Sequence, residues 1–227
     1  MKRIIAFDVN ETLLDLAALD PVFAAMFANE SGGAVRREWF AQMLQSALVS
    51  IVTDAYSDFS TLQMGALEMV AARRGVMLTE ANRARVRDGM RTLPPHADVC
   101  PGLERLRGAG FTLVALTNSP PTVAEAQLAN AGLTEFFAMR FSADTVRRLK
   151  PAPAPYRMIA AHFGVPIGQV RLVAAHAWDI AGAVQAGCVT AFVSRPSAVL
   201  DPLVPVPDIV APTIDAVAER IIAADGG

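Results

Sequence analysis

Cysteine is scarce in this chain: Cys100 and Cys188 are the two among 227 residues, far apart and in unrelated local contexts. That excludes a disulfide framework and reads as reduced thiols in a cytoplasmic protein. Cysteine and histidine nowhere cluster with the spacing a metal site needs, so no metal is expected. A basic block is also missing. Lys and Arg total 20 against 22 Asp and Glu, for a formal net charge of −2, which argues against nucleic acid as a partner. No apolar run approaches the ~20 residues that a membrane helix needs. The opening MKR is followed by four apolar residues before Asp8, too few for a signal peptide. The expectation is a cytoplasmic protein with a small-molecule partner.

What the chain does have is apolar mass, 53% hydrophobic against 19% charged residues, enough for a sizeable core. At roughly 150 residues per domain, this length means one large domain, or one domain carrying an insert. Short β-like runs alternate with helix-like ones. Ile4–Phe7, Phe111–Leu116, Met139–Ser142, Val170–Ala174 and Val189–Val193 read as strands. Leu103–Gly108, Thr122–Asn130, Tyr156–Phe163, Ile180–Ala186 and Ile214–Ala223 read as helices. Apolar strands separated by helices predict an α/β fold, a Rossmann-like doubly wound parallel sheet covered on both faces. Residues 16–93 break the alternation. Asp20-Pro21 suits a helix start with Asp as cap, and Thr79–Glu80 another. Trp39, Met43, Ala47 and Ile51 recur at four-residue spacing, and Pro94-Pro95 ends the segment. The pattern is a helical insert, 16–93, in a core of 1–15 and 94–227. The proline-rich stretch 196–213 reads as a loop around a late edge strand.

FDVNETLLD (Phe7–Asp15) poses the chemical question, because a buried-looking strand ends in an aspartate. Asp8 and Thr12 follow the first strand, Thr117 and Asn118 the FTLVAL strand, and Asp179 the RLVAA strand, while Lys150 precedes the stiff PAPAPY turn. Each has an ordinary structural reading: a turn or cap aspartate, a solvated lysine, a Thr-Asn-Ser turn. Together they place polar groups beyond the carboxyl ends of parallel strands, where α/β sheets bind ligands.

FDVNETLLD, LTNS (Leu116–Ser119), KPAPAPY (Lys150–Tyr156) and AHAWDIAGA (Ala175–Ala183) resemble, in this order, the motifs of the haloacid dehalogenase superfamily, and within it the type II 2-haloacid dehalogenases. The resemblance spans essentially the whole chain and makes 16–93 a cap domain. It implies that Asp8 attacks C2 of a short 2-halocarboxylate, and that water then splits the ester to give a 2-hydroxy acid of inverted configuration. It implies that Asp179 helps activate that water, that Lys150 keeps Asp8 ionised, and that Thr12 orients Asp8. Thr117 and Asn118 would bind the substrate carboxylate or the transition state, with Tyr156 and Trp178 lining the site. No cofactor is implied.

Asn10 stands where superfamily phosphatases carry an acid for the leaving alcohol; a halide needs no proton. Ala174-Ala175 replaces their GD, leaving Asp179 alone for magnesium. Two other departures point away from the dehalogenases. Phe40 falls where they carry a halide-binding arginine, so Arg36 or Arg37, one turn earlier, would have to reach in. His176 replaces an asparagine often found there; it is either a hydrogen-bonding partner of water or substrate, or a cap of the next helix. The alternatives are a phosphatase acting on a small metabolite, and a binding protein that kept the fold. The apolar face around Met43, Leu44 and Leu48 fits a homodimer contact, and fits a core-facing stripe equally.

Overall fold

A computed structural model of the chain describes residues 3–28, 30–196 and 198–226. Strands β1 (Ile4–Phe7), β2 (Thr112–Thr117), β3 (Met139–Ser142), β4 (Val170–Ala174), β5 (Val189–Val193) and β6 (Ile209–Ala211) form a parallel sheet in the order β3-β2-β1-β4-β5-β6. The near-continuous apolar strands follow from burial on both faces. Ile4 and Ala6 join Val114, Leu116 and Leu172 on one face, while Ile5 and Phe7 join Leu113 and Val173 on the other. Along each strand alternate side chains feed opposite layers. Strand order runs outward in both directions from β1, so the turn after β1 sits at the reversal point where such sheets leave a crevice.

Among the described residues, 16–93 contain no strand. A short 3₁₀ turn, Leu16–Leu19, leads into α1 (Asp20–Met26), α2 (Gly32–Val52), α3 (Phe59–Arg73) and α4 (Glu80–Arg91). Asp58 caps α3 by accepting the N–H groups of Ser60 and Thr61, and Thr79 forms a reciprocal capping box with Asn82 on α4. Asp20 is not a cap. It occupies the first turn of α1 behind Leu19, and its carboxylate accepts from Arg36 Nε at 2.6 Å. The chain leaves and re-enters the sheet layer through two stitched links. Asp15 N–H donates to Pro94 O at 2.8 Å and His96 N–H to Leu13 O at 2.9 Å. The helices α5 (Val99–Gly108), α6 (Pro121–Asn130), α7 (Pro153–Phe163), α8 (Ala177–Ala186) and α9 (Ile214–Asp225) cover the sheet. Strand β6 lies at the sheet edge within the proline-rich stretch. The proposed dimer face divides: Met43 is buried in the core, Leu44 is half-buried, and Leu48 is exposed.

One glycine connects packing to the site. A Cβ on Gly182 of α8 would lie 2.5 Å from Pro151 O and 2.6 Å from Tyr156 Oη, closer than packed atoms tolerate. Gly182→Ala is therefore expected to cost about 1–3 kcal/mol through overpacking, read as a lower thermal midpoint. An unchanged midpoint would show that the 150–156 turn has room to give.

Candidate active site

Asp8 follows β1, and its N–H continues the ladder to Val173 O at 3.0 Å, so the strand aims its side chain into the crevice. The carboxylate is buried and each oxygen is occupied. Lys150 Nζ donates to Oδ1 at 2.8 Å and Thr12 Oγ1 to Oδ2 at 2.7 Å. Thr12 in turn accepts the Ala175 N–H at 2.9 Å, which ties the β1 turn to the β4 turn. Burial opposes the charge on Asp8, but Lys150 and His176 overcome it and hold the carboxyl well below its usual range.

Lys150 is fully enclosed. Beyond Asp8 it donates to Asp179 Oδ2 at 2.7 Å and to Leu116 O at 3.1 Å. Burial disfavours its ammonium, yet the two carboxylates raise its pKa overall. Asn118 builds this arrangement. Its Oδ1 accepts the Lys150 N–H at 2.7 Å and its Nδ2 donates to Lys150 O at 3.3 Å. Thr117 Oγ1 accepts the Ser119 N–H at 3.1 Å. The sequence reading gave both residues to the substrate carboxylate or transition state; the structure uses both in loop hydrogen bonds and also places both on the wall of the cavity at Asp8.

Asp179, in the first turn of α8, is wholly buried. Its Oδ2 takes Lys150, and its Oδ1 takes the Tyr156 hydroxyl at 2.5 Å. Burial pushes its pKa up, and the nearby Asp8 charge adds to this, against Lys150. Asn10 Oδ1 accepts from Gln127 Nε2 of α6 at 3.0 Å. A cavity of about 10 Å³, space for about one water, is bounded by Asp8, Asn10, Lys150, His176, Trp178, Phe40 of α2 and Phe59 of α3, besides Thr117 and Asn118. Asp8 is the one acid on its wall. A buried indole N–H, that of Trp178, has no acceptor among the described residues. A larger cavity, about 1030 Å³ along β3 and α7, contains none of these groups.

His176 occupies the N-cap position of α8 without a side-chain cap bond, so the capping alternative fails. Its Nδ1 lies 3.2 Å from Asp8 Oδ2 and its Nε2 3.0 Å from Glu11 Oε2. The ring is stacked between Phe40 (centroids 5.6 Å apart) and Trp178 (5.1 Å). Burial alone would depress this imidazole, but hydrogen bonds to Asp8 and Glu11, with their charges, push it up to about 9. Neither arginine enters the Asp8 cavity as anticipated. Arg37 is exposed. Arg36 is buried, held by Asp20 and by Glu11 Oε1 at 3.3 Å, and lines a neighbouring cavity of about 340 Å³ with Glu11, His96, His176 and Arg195. Phe40 remains an apolar wall.

Glu11, Phe59 and Gln127 escaped the sequence reading. Glu11 lies inside the first motif, but its direction depends on a left-handed backbone (φ 60°) that no composition signal announces. Gln127 offered one clue, a lone amide on an otherwise apolar helix face. A hard divalent ion prefers several clustered oxygens. Asp8 alone among the acids lines the cavity, Asp179 is spent, and no group of three or more His, Cys, Asp or Glu side chains is arranged to hold a metal among the described residues. The donor set does not fit magnesium.

A family model described as haloacid dehalogenase-like hydrolase matches residues 2–187. The (S)-2-haloacid dehalogenase 2 of Pseudomonas sp. (strain CBS-3) is 27% identical over 213 residues, 94% of this chain and 93% of the relative. A solved L-2-haloacid dehalogenase aligns with a TM-score of 0.90 at 25% identity, covering 97% of this chain and 98% of its own. The L-2-haloacid dehalogenase from Xanthobacter autotrophicus, solved with chloropropionic acid covalently bound, has the same TM-score and coverage at 23% identity.

The raised His176 pKa has a consequence for stability. A group whose folded pKa exceeds its unfolded value of 6.5 stabilises fully below that value, and the effect is lost as pH rises through about 9. The difference in melting temperature between wild type and His176→Asn should therefore narrow from pH 7 towards pH 9. A pH-independent difference would mean that His176 is not charged in the fold.

Proposed function

The chain belongs to the haloacid dehalogenase-like hydrolase family, and from that premise we propose that it displaces halide from a short 2-haloalkanoic acid through an Asp8 ester, giving the 2-hydroxy acid. The observation that carries this reading is Asp8 itself, a carboxylate kept ionised by Lys150 at 2.8 Å and facing a cavity in which it is the one acid. One Asp8 oxygen forms a bond to C2 as the carbon–halogen bond breaks, and the bonding pair leaves with the halide. The leaving anion needs no proton, in keeping with Asn10, whose amide oxygen is occupied by Gln127. A phosphatase reading loses support from the same residue and from a donor set unsuited to magnesium.

In this reading Thr12 orients Asp8, and Tyr156 fixes Asp179 behind Lys150. Thr117 and Asn118 shape the wall. The unspent Trp178 N–H is the donor for an anionic group of the substrate, and Phe40 and Phe59 are the apolar lid of a cap formed by 16–93 over a core of 1–15 and 94–227. Free Cys100 and Cys188 support a cytoplasmic setting, and no helix among the described residues is long and apolar enough to cross a membrane. Exposed Leu48, Val49 and Val52 on α2 are what remains for a homodimer contact.

Incubation with (S)-2-chloropropionate in EDTA should release chloride and form (R)-lactate at a rate unchanged by added magnesium. Asp8→Asn should lower turnover by more than about 10⁴-fold, the scale seen when a nucleophile is removed. A single turnover in H₂¹⁸O should leave label in Asp8. Label in lactate alone, with none in the protein, would rule out the ester.

A further inference from the structure

We infer that His176, oriented by Glu11, is the general base that delivers water to the Asp8 ester, a task the family resemblance assigns to Asp179. The inference rests on the aspartyl-ester reading above and names a further catalytic residue for it.

Geometry separates the two candidates. Both oxygens of Asp179 are occupied, by Lys150 and Tyr156, and its side chain is fully buried outside the walls of the Asp8 cavity. A water held in that cavity therefore lies beside His176 and not beside Asp179. His176 lines both the small cavity and the 340 Å³ one. Its Nδ1, 3.2 Å from Asp8 Oδ2, stands beside the carboxyl group that water must attack. Its Nε2 meets Glu11 Oε2 at 3.0 Å. A carboxylate on one ring nitrogen fixes the proton there and leaves the other nitrogen to accept. Stacking between Phe40 and Trp178, with interplanar angles of 21° and 30°, holds the ring in this orientation. Glu11 reaches His176 from a left-handed backbone, costly for a residue with a Cβ. That conformation is retained where its N–H bonds Leu14 O at 2.9 Å and its carbonyl meets His96 Nε2 at 3.3 Å.

The charges around His176 make the base available at the right stage. In the resting enzyme it faces two anions, Asp8 and Glu11, and holds both ring protons. Lys150 lies behind Asp8, Arg36 binds Glu11, and Asp15, His96 and Arg195 share the larger cavity. Alkylation turns Asp8 into a neutral ester and removes one of the two anions, so the Nδ1 proton is shed; Glu11, partly open to the larger cavity, offers it a way to solvent. Water oxygen then bonds to the Asp8 carboxyl carbon as its proton passes to Nδ1. The bond from that carbon to the substrate-bearing oxygen breaks, its electron pair stays on oxygen, and the leaving alkoxide takes the proton from Nδ1. The new Asp8 carboxylic acid returns its proton to Nδ1, restoring the resting pair. Haloacid and water have become hydroxy acid, halide and the one proton shed on alkylation.

The test is rapid-quench halide release and intact-protein mass measurement with (S)-2-chloropropionate on wild type, His176→Asn, Glu11→Gln and Asp179→Asn. His176→Asn should release about one chloride per site in a burst, accumulate the ester, and turn over about 10²–10⁴-fold more slowly. Wild-type ester decay should rise with pH through the titration of one group, a dependence absent from His176→Asn. Glu11→Gln should slow ester decay and move that titration to lower pH; it carries the test if His176→Asn does not fold. Normal turnover by His176→Asn without ester, or ester accumulating in Asp179→Asn alone, would overturn the assignment while leaving the Asp8 ester intact. No chloride from wild type would instead remove the dehalogenase reading, and this inference with it.

Discussion

A single ammonium group, Lys150 Nζ, is enclosed between the carboxylates of Asp8 and Asp179, and most of the site is arranged to keep it there. Removing a lysine from water is expensive, and a buried pair holds only with near-complete hydrogen bonding. The fold supplies that from several elements. β2 offers Leu116 O, the next turn clamps the Lys150 backbone through both ends of the Asn118 amide, α7 contributes the Tyr156 hydroxyl that satisfies Asp179, and α8 leaves space at Gly182 for the turn that follows. One positive charge between two negative ones leaves a buried deficit. His176, positively charged on the far side of Asp8, closes it.

That balance separates two carboxylates that start out alike. Asp8 faces a cavity and is drawn to its charged form by two cations. Asp179 is enclosed, with burial and the Asp8 charge both working against its ionisation. Environments that push two acids apart assign them different work. The ionised one on the cavity wall is suited to attack carbon, and the enclosed one to hold the lysine that keeps its neighbour ionised. Asn10, its amide oxygen taken by Gln127, adds no further charge beside Asp8.

The sheet was legible because its signal is local. Four-to-six-residue apolar runs with polar groups at their carboxyl ends locate strands and crevice together, and β3, β4 and β5 match their expected limits. Asp8, Thr12, Lys150 and Asp179 were legible for the same reason, each being placed by the strand or turn that carries it. Partnerships were not. Asn118 and Thr117 look from sequence like ligand binders because a strand end is where ligands bind; that Asn118 also clamps the Lys150 backbone depends on a contact 32 residues away. Glu11 meets His176 across 165 residues, from a backbone conformation that an ordinary glutamate does not announce. Arg36 sits one helical turn from Phe40, but helix spacing could not foresee that Asp20 and Glu11 would hold it outside the cavity.

The same apolar lid bears on how a substrate enters. A cavity of about 10 Å³ has space for about one water and is smaller than a haloacid, and Phe40 and Phe59 are the walls it takes from 16–93. They sit on α2 and α3, between the stitched links at Asp15–Pro94 and Leu13–His96 and a far contact with the sheet layer. That far contact includes the Tyr56–Asp144 hydrogen bond, Arg148 donating to Ile51 O at 3.4 Å, the Arg147 guanidinium over the Tyr56 ring and the exposed Arg148–Asp54 pair. Exposed ion pairs contribute about 0–1 kcal/mol, whereas the links are backbone hydrogen bonds next to the core. Displacing α2 would withdraw Phe40 from the His176 ring and Arg36 from Glu11, while Glu11 itself belongs to the turn after β1. The imidazole then keeps its carboxylate partners while substrate enters, and regains its stacking when the lid returns.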